Sequence, residues 1–548
     1  MRNPMIPAVL LAATSSLFAQ SLTEKIDVSL VNVDVTVTSH GAPARGLTRD
    51  DFTVFEDGVA QPITSFYAVE PAPAANRSVA PSTPDVAIAD PADERFRRKV
   101  LVIVDNRHVT MHNRDRALAA LERFVDDRFT GGTYDWSIAL VSDKAHVMLP
   151  LTSDKQKLHE TVAAIRRIVA NPDRPSEEDV ARVAPVTAFS DQGLATSVRN
   201  GATNSGLQEL ADLGVRFQMD ADATATVDSI REAVRSFAGA PGRKIILLVT
   251  GSLGFDDSAN PLGADPRSTL GGPATIAART RWATMMRDLL IREANASNVS
   301  FYIVNSEGLT PSSDATNSGG MGFASDINRP MGSGSSNQLA TMYWLARETG
   351  GRLMSGNSPD NALVEFDNAS SSFYSLAYKP AHGDDGKYHS IKVRLKNSGY
   401  QLQYRTGYSS VPVSVQLARA MQSPMADTMQ QSSIPIGIIT DESAPKDGGV
   451  LVPLHATVPA KSLQFIPTGK DSVARIDLYV SVFDDRGRRI SGSHVTREAH
   501  AANGTESAGN FVENRALLVK RGVPYRVVVA VHDQVTDAIG INSKTVRF

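Results

Sequence analysis

Asp105, Asn106, Arg107, His108, Thr110, His112 and Asp115 stand in one short segment, so carboxylates, imidazoles, a guanidinium and a hydroxyl are close together. Two kinds of chemistry could use them. Imidazoles four residues apart on a helix can share a transition metal, as His108 and His112 would with Asp105 and Asp115 nearby. This segment falls at a strand-to-helix turn, however, and lacks the Glu of a His-Glu-x-x-His protease, so exposed loop histidines are expected. Second, the Arg107 guanidinium could sit beside Asp105 and leave nearby donors free for a partner's carboxylate. A second segment, Thr250-Gly251-Ser252, follows an apolar strand but is no Gly-x-Ser-x-Gly elbow. No Walker loop is present. Gly319–Gly322 reads as flexible loop, Asp256-Asp257 as solvated loop and Asp384-Asp385 as turn.

The surrounding elements must place these residues. Val100–Val104 is a continuous apolar run ending in Asp105, the mark of a strand buried on both faces of a parallel sheet. Trp136–Val141, His146–Leu151, Ile245–Val249 and Val299–Val304 read as further strands. Helical spacing runs through 113–128, from Ser153/Asp154 to about Ile168, and through 206–218, 226–239 and 274–296. It continues through Asn337–Thr349, stopped by Gly350-Gly351, and Asp360–Ser370. Trp136 and Trp344 are expected in the core. Strand and helix alternate over 97–378, which predicts a doubly wound, mostly parallel α/β sheet. Ligands of such sheets sit at the carboxyl ends of the strands, here Asp105–Thr110 and Thr250–Ser252.

On either side the chain reads as β. Residues 26–38 alternate almost perfectly, Phe52–Glu56 and Gln61–Val69 follow, and Asp57-Gly58 is a hairpin turn. From 435 onward, strands at Val450–Thr457, Ala474–Phe483, Ala516–Lys520, Tyr525–Val531 and Lys544–Phe548 predict an immunoglobulin-like β-sandwich. The expected organisation is a signal peptide (1–19), an N-terminal β unit (20–70) and a Pro/Ala-rich linker (71–96). The α/β domain with a closing β-hairpin (97–408), a connector (409–434) and the C-terminal sandwich (435–548) follow. Residues 171–205 read as an insertion and 309–336 as a Gly/Ser/Asn-rich loop able to shape the sheet top.

The 548 residues carry Lys+Arg 56 against Asp+Glu 59, a net charge of −3, which argues against nucleic-acid binding through bulk charge. There is no Cys, so disulfides, thiolate metal sites and a thiol nucleophile are excluded. Met1-Arg2, the apolar run Met5–Ala13 and the small residue Ala19 describe a secretory signal, which predicts a periplasmic or secreted protein. No later run is long and apolar enough to predict a transmembrane segment.

Five segments carry a family resemblance. They are Val31–Val37 with Leu47–Gly58, Val102–Thr110, Pro241–Phe255, Leu345–Arg352, and Phe373–Pro380 with His389–Val393 and Tyr404–Tyr408. In this order the chain resembles the exported von Willebrand factor type A-related proteins of the acidobacterial type, over roughly residues 26 to 410. The resemblance implies a type A domain, usually a protein-interaction module with no generally established activity. Type A domains often hold Mg²⁺ through Asp-x-Ser-x-Ser, a loop Thr and a second Asp. Here Asp105 matches the first Asp, and Thr226 or Thr224 the Thr. Arg107 and Val109 stand where the serines should be, and Gly251 where the second Asp should be. The site is therefore degenerate, with Mg²⁺ or Mn²⁺ at Asp105 and Thr226 as the residual metal expectation and no other cofactor.

The expected function is an exported, non-enzymatic interaction or adhesion protein. Its protein partner would meet Asp105, Asn106, Arg107, Thr110, Thr226, Thr250 and Ser252 at the top of the sheet. The alternatives are a metal-dependent hydrolase using Asp105, His108 and His112, and an inert structural envelope protein.

Overall fold

A computed structural model describes residues 30–70, 87–169, 204–253, 273–306, 337–423 and 434–547, apart from gaps at 94–95, 129–132, 143, 238–241, 355, 357, 384, 447, 469–470, 503–508 and 536–537. The expected signal peptide, most of the linker, all but the last two residues of the insertion 171–205, Asp256-Asp257 and the loop 309–336 lie outside the described residues.

The N-terminal strands are β1 (Val31–Ser39), β2 (Ala42–Pro43), β3 (Phe52–Glu56), β4 (Val59–Gln61), β5 (Ile63–Val69) and β6 (Ala87–Ala89). The α/β region follows as β7 (Arg98–Asp105), α1 (Met111–Arg128), β8 (Tyr134–Val141), β9 (Ala145–Thr152), α2 (Lys155–Arg166) and α3 (Asn204–Phe237). It continues with β10 (Arg243–Thr250), α4 (Pro273–Ala296), β11 (Val299–Asn305), α5 (Asn337–Glu348), β12 (Leu353–Met354) and α6 (Pro359–Ser370). Then come β13 (Phe373–Tyr378), β14 (Tyr388–Leu395), β15 (Gln401–Gln403), β16 (Gly407–Ser409) and α7 (Val413–Gln422). The C-terminal strands are β17 (Gly437–Thr440), β18 (Ala444–Lys446), β19 (Gly449–Pro459), β20 (Ile466–Thr468), β21 (Asp471–Phe483), β22 (Arg489–Ala502), β23 (Asn510–Val519), β24 (Pro524–Asp533) and β25 (Ile539–Arg547).

The central sheet has the order β12-β11-β10-β7-β8-β9. Neighbours are parallel except β9, which runs antiparallel to β8. Every residue of β7 is buried, and alternate residues serve opposite layers. Leu101 and Ile103 pack with Val234 and Phe237 of α3, Leu290 of α4 and Leu345 of α5. Val100 and Val102 pack with Leu121 and Phe124 of α1, Val162 of α2 and Phe366 of α6. Two buried faces explain why the run is continuously apolar rather than alternating. Each fully buried aliphatic side chain contributes about 1.5–3 kcal/mol relative to exposure.

Local signals place the helices. The Asp154 carboxylate accepts from the backbone N–H groups of Gln156 at 3.0 Å and Lys157 at 3.4 Å, capping α2. After α5, Gly350 takes φ +77°, and a Cβ on Gly351 would lie 1.8 Å from the Phe301 carbonyl oxygen. The Gly pair thus both ends the helix and lets it approach β11. The two helices expected over 206–239 are one continuous helix, α3.

The strands β13 and β14, read from sequence order as closing the α/β domain, pair instead with the N-terminal strands. β1 lies between β13 and β15, with Val31 opposite Tyr378. β5 pairs with β13, and β3 with β14. Val33, Val35 and Val54 share one core with Leu376, Tyr378, Ile391 and Val393. The α/β domain is therefore an insertion between two halves of a single β module. Nothing in local periodicity announces this, because the partners are separated by the whole inserted domain.

The C-terminal strands form two antiparallel sheets, with β19 central to one and β21 and β24 to the other. Val452 and Leu454 from the first share a core with Ile476, Leu478 and Val527 from the second. The outer face of the second sheet carries Tyr479, Phe483 and Val528, which α7 covers with Leu417, Ala420 and Met421.

Candidate functional site at the carboxyl ends of the central strands

The chain lays down β7, β8 and β9 in one direction, then crosses back and lays down β10, β11 and β12 in the other. The strand order thus reverses between β7 and β10, the switch point where such sheets bind ligands. Asp105 ends β7 and Thr250 ends β10.

Asp105 is fully buried. Its Oδ1 accepts the backbone N–H groups of Arg107 at 3.1 Å and His108 at 3.3 Å. Its Oδ2 accepts the Thr250 hydroxyl at 2.7 Å and faces His108 Nδ1 at 2.9 Å. The Gly251 N–H donates to the His108 carbonyl at 3.2 Å, tying the two loops together. Such a carboxylate has its lone pairs met by protein donors. Thr250 is fully buried, and its Oγ also accepts the Ser252 N–H at 3.1 Å.

The other expected residues divide between these loops and their supports. The Arg107 guanidinium does not sit against Asp105. It donates to the Ser142 carbonyl at 2.8 Å and pairs with Asp222 on α3. Asn106 is buried, its Oδ1 accepting from Arg114 at 2.8 Å and its Nδ2 donating to the Val169 carbonyl at 3.2 Å. Thr110 is exposed and accepts the Asn113 N–H at 3.3 Å at the start of α1. Thr226 is not on a loop. It is fully buried within α3, and its hydroxyl donates to the Asp222 carbonyl one turn back at 3.0 Å. This spends the hydroxyl on its own helix. Ser252 is buried beside Thr250. His108 precedes α1 while His112 is exposed on its first turn, so the two do not share a helix face.

Sequence reasoning missed Arg114 and Asp222. Arg114 is fully buried, yet donates to Asn106, to the Ile168 carbonyl at 2.8 Å and to Asp115 at 3.0 Å. Its signal was available, since it stands three, four and seven residues before Ala117, Leu118 and Leu121 on the apolar stripe of α1. Trp136 is in the core as expected, at 1% exposure, but Trp344 is not, at 39%. Trp344 packs edge-on against Tyr343, with the Arg347 guanidinium 5.3 Å above its ring.

No protein-family model matches this sequence, and no curated protein matches it. Among solved structures, an aerotolerance-related membrane protein from Bacteroides fragilis is similar at 9% identity and TM-score 0.24, covering 50% of this chain and 98% of that one. The conserved hypothetical protein BatB from Bacteroides thetaiotaomicron is similar at 11% identity and TM-score 0.23, covering 50% and 98%. A von Willebrand factor type A protein from Catenulispora acidiphila is similar at 10% identity and TM-score 0.22, covering 82% and 66%. At these identities and scores the likenesses argue nothing about partner or chemistry. No helix among the described residues is long and apolar enough to cross a membrane.

Proposed function

We propose that this chain is an exported, non-enzymatic interaction protein of the type A kind that presents the carboxyl ends of its central sheet to a protein partner. One observation carries the reading. At the switch point the carboxylate of Asp105 stands between the Thr250 hydroxyl and the His108 imidazole. Nucleophilic catalysis needs the imidazole in the middle, taking the proton from the hydroxyl. Here a fully buried hydroxyl is spent on a carboxylate, so the group fixes two loops and leaves no activated nucleophile. Beside this centre stand exposed Thr110, Met111 and His112, at the entry to α1, and the partly exposed Asp222 carboxylate paired with Arg107. Residues held by scaffold on a loop rim are the common place for recognition.

The reading includes metal independence at this end of the sheet, because Asp105 would have to surrender protein donors to ligate Mg²⁺ or Mn²⁺. Two measurements test it. A thermal-shift titration with Mg²⁺ and Mn²⁺ against a chelator control is expected to show no shift that depends on Asp105, and a shift abolished by Asp105→Asn overturns this part. A photoreactive side chain at Met111 is expected to cross-link one discrete protein in the native envelope. The same probe at Lys155, at the opposite end of the sheet, is expected not to. No adduct, or equal adducts from both positions, overturns the partner surface.

A further inference from the structure

The β module holds a second cluster of carboxylates and imidazoles, far from the sheet top. Glu56 is the last residue of β3, and Asp57 begins the following hairpin turn with φ +47°. β14 runs beside β3 and carries His389 as its second residue. The turn before β14 brings His382 and Asp385 over the same spot. One carboxylate oxygen of Glu56 and one ring nitrogen each of His382 and His389 all lie within 4.8 Å of one another. Glu56 and His389 are buried, at 4% and 6% exposure.

Hydrogen bonds decide which ring nitrogens are open. His382 Nδ1 donates to the Gly383 carbonyl at 2.7 Å, an acceptor only, which leaves Nε2 facing the cluster, 3.4 Å from the Tyr408 hydroxyl. That Nε2 stands 3.5 Å from Glu56 Oε1, too long for a good hydrogen bond. His389 Nδ1 lies 2.7 Å from Asp57 Oδ2, and its Nε2 faces Asp385 Oδ1 at 3.0 Å. The two rings stack with centroids 3.9 Å apart at 19°, a contact that two imidazolium ions would resist. Glu56 Oε1 is oriented by the hydroxyls of Tyr378, at 3.0 Å, and Tyr408. Asp57 is oriented by the Ser390 N–H at 2.8 Å and hydroxyl at 3.0 Å.

We propose that Glu56, His382 and His389, with Asp385 closing the shell, bind a divalent cation of the zinc class. Zinc takes nitrogen and oxygen ligands at about 2.0–2.2 Å in a tetrahedron, whose ligand atoms then lie roughly 3.3 Å apart. Two of the six separations, 3.5 Å from His382 to Glu56 and 3.0 Å from His389 to Asp385, bracket that value. The two rings, now 3.9 Å apart, part to roughly 5 Å as the ion enters. Each histidine has its Nδ1 tied to a carboxylate or carbonyl, the outer-shell arrangement that orients imidazole ligands, and the ligating carboxylate is itself hydrogen-bonded. Imidazole with carboxylate favours zinc and neighbouring transition metals over Mg²⁺ or Ca²⁺. The His382 and Asp385 side chains are each 27% exposed, giving the ion a way in. Bound there, it would clip the first segment of the β module to the last, in a chain with no cysteine for a disulfide.

The test is calorimetric titration of the full chain, stripped with a chelator, with Zn²⁺. One equivalent should bind, and Co²⁺ in its place should show the visible absorption of a tetrahedral site. His382→Ala, at a partly exposed position, should abolish the stoichiometric site. Asp57→Asn should weaken binding about 10–100-fold by freeing the His389 ring, and His112→Ala should change nothing. Circular dichroism establishes that each variant is folded, and Asp385→Asn replaces His382→Ala if that variant is not. The proposal is overturned if the parent binds no stoichiometric Zn²⁺, or if a folded His382→Ala or Asp385→Asn variant binds it as the parent does.

Discussion

At the top of the central sheet a buried carboxylate meets one imidazole, 2.9 Å away, and at the end of β3 a buried imidazole meets two carboxylates, at 2.7 and 3.0 Å. The residue types are the same and the consequences differ. Asp105 also receives two backbone N–H groups and a hydroxyl, so fixed dipoles meet its charge. Around His389 three carboxylates, those of Glu56, Asp57 and Asp385, converge with the His382 ring. The hydroxyls of Tyr378 and Tyr408 and the N–H groups of Ser390 and Lys387 meet only part of the carboxylates' acceptor capacity. Two carboxylates hold the His389 imidazole above its ordinary pKa against the opposing effect of burial, and the Asp385 carboxyl is drawn down to about 2, chiefly by its hydrogen bond from His389. That environment calls for positive charge, whereas the one around Asp105 is already satisfied. Whether a carboxylate–histidine pair braces a fold or awaits an ion depends on the donors around it, not on the pair.

The comparison can be broken most directly at Asp105. Asp105→Ala strands a buried hydroxyl, two N–H groups and an imidazole, and should cost about 3–5 kcal/mol. Urea unfolding of the chain checks it, and a cost below 1 kcal/mol would mean the network is not the brace described. Arg114→Met should cost about 2–4 kcal/mol, because Asn106 and the Ile168 carbonyl lose a buried charged donor. A third carboxylate–histidine group, in the C-terminal sheet, sharpens the contrast through pH. Burial alone would raise the Asp477 carboxyl, but hydrogen bonds from His532, Thr496, Gln534 and His494 outweigh it and hold the pKa well below the usual range. Its stabilisation is therefore present above the unfolded value of about 3.9 and lost as pH falls below it. A melting profile from pH 6 to pH 2 should fall in that window, and less steeply in Asp477→Asn. Thr250→Val should cost about 1–2 kcal/mol by equilibrium unfolding, because the Asp105 carboxylate loses a donor and the Ser252 N–H loses an acceptor. Arg107→Ala should be mildest, about 1 kcal/mol or less in the same measurement, because the Asp222 side chain is 38% exposed.

The parallel core was legible because burial on two faces writes itself as an unbroken apolar run, as in Val100–Val104 and Ile245–Val249. The hairpin at Asp57-Gly58 was legible from its turn residues, both of which take positive φ. Asp105 and Thr250 were legible as neighbours from the rule for strand ends. Their hydrogen bonding was not, because it depends on which donors the loops turn inward. Thr226 was matched to the loop Thr of an expected metal site, although it also opened the helix expected over 226–239, where Val227, Ile230 and Val234 share the buried face of α3. Trp344 was expected in the core from residue type alone. Glu56, His382 and His389 had no local motif to betray them. The backbone pairing that brings β3 beside β14 joins segments separated by the whole α/β domain, and no window of sequence spans that distance.

That inserted domain sets a timetable. Val31, Val33, Val35 and Val37 emerge early, but the strand they line pairs with β13 and β15, which are made only after the α/β domain. At roughly 5–20 residues per second the wait is on the order of tens of seconds. Through that interval β1 is an apolar strand with unmet backbone groups, the form most prone to pair with another chain. A strand made before the α/β domain is thus completed only after it. A nascent chain halted before Phe373 holds a finished core with an unfinished, aggregation-prone edge, and one extended past Ser409 can close it.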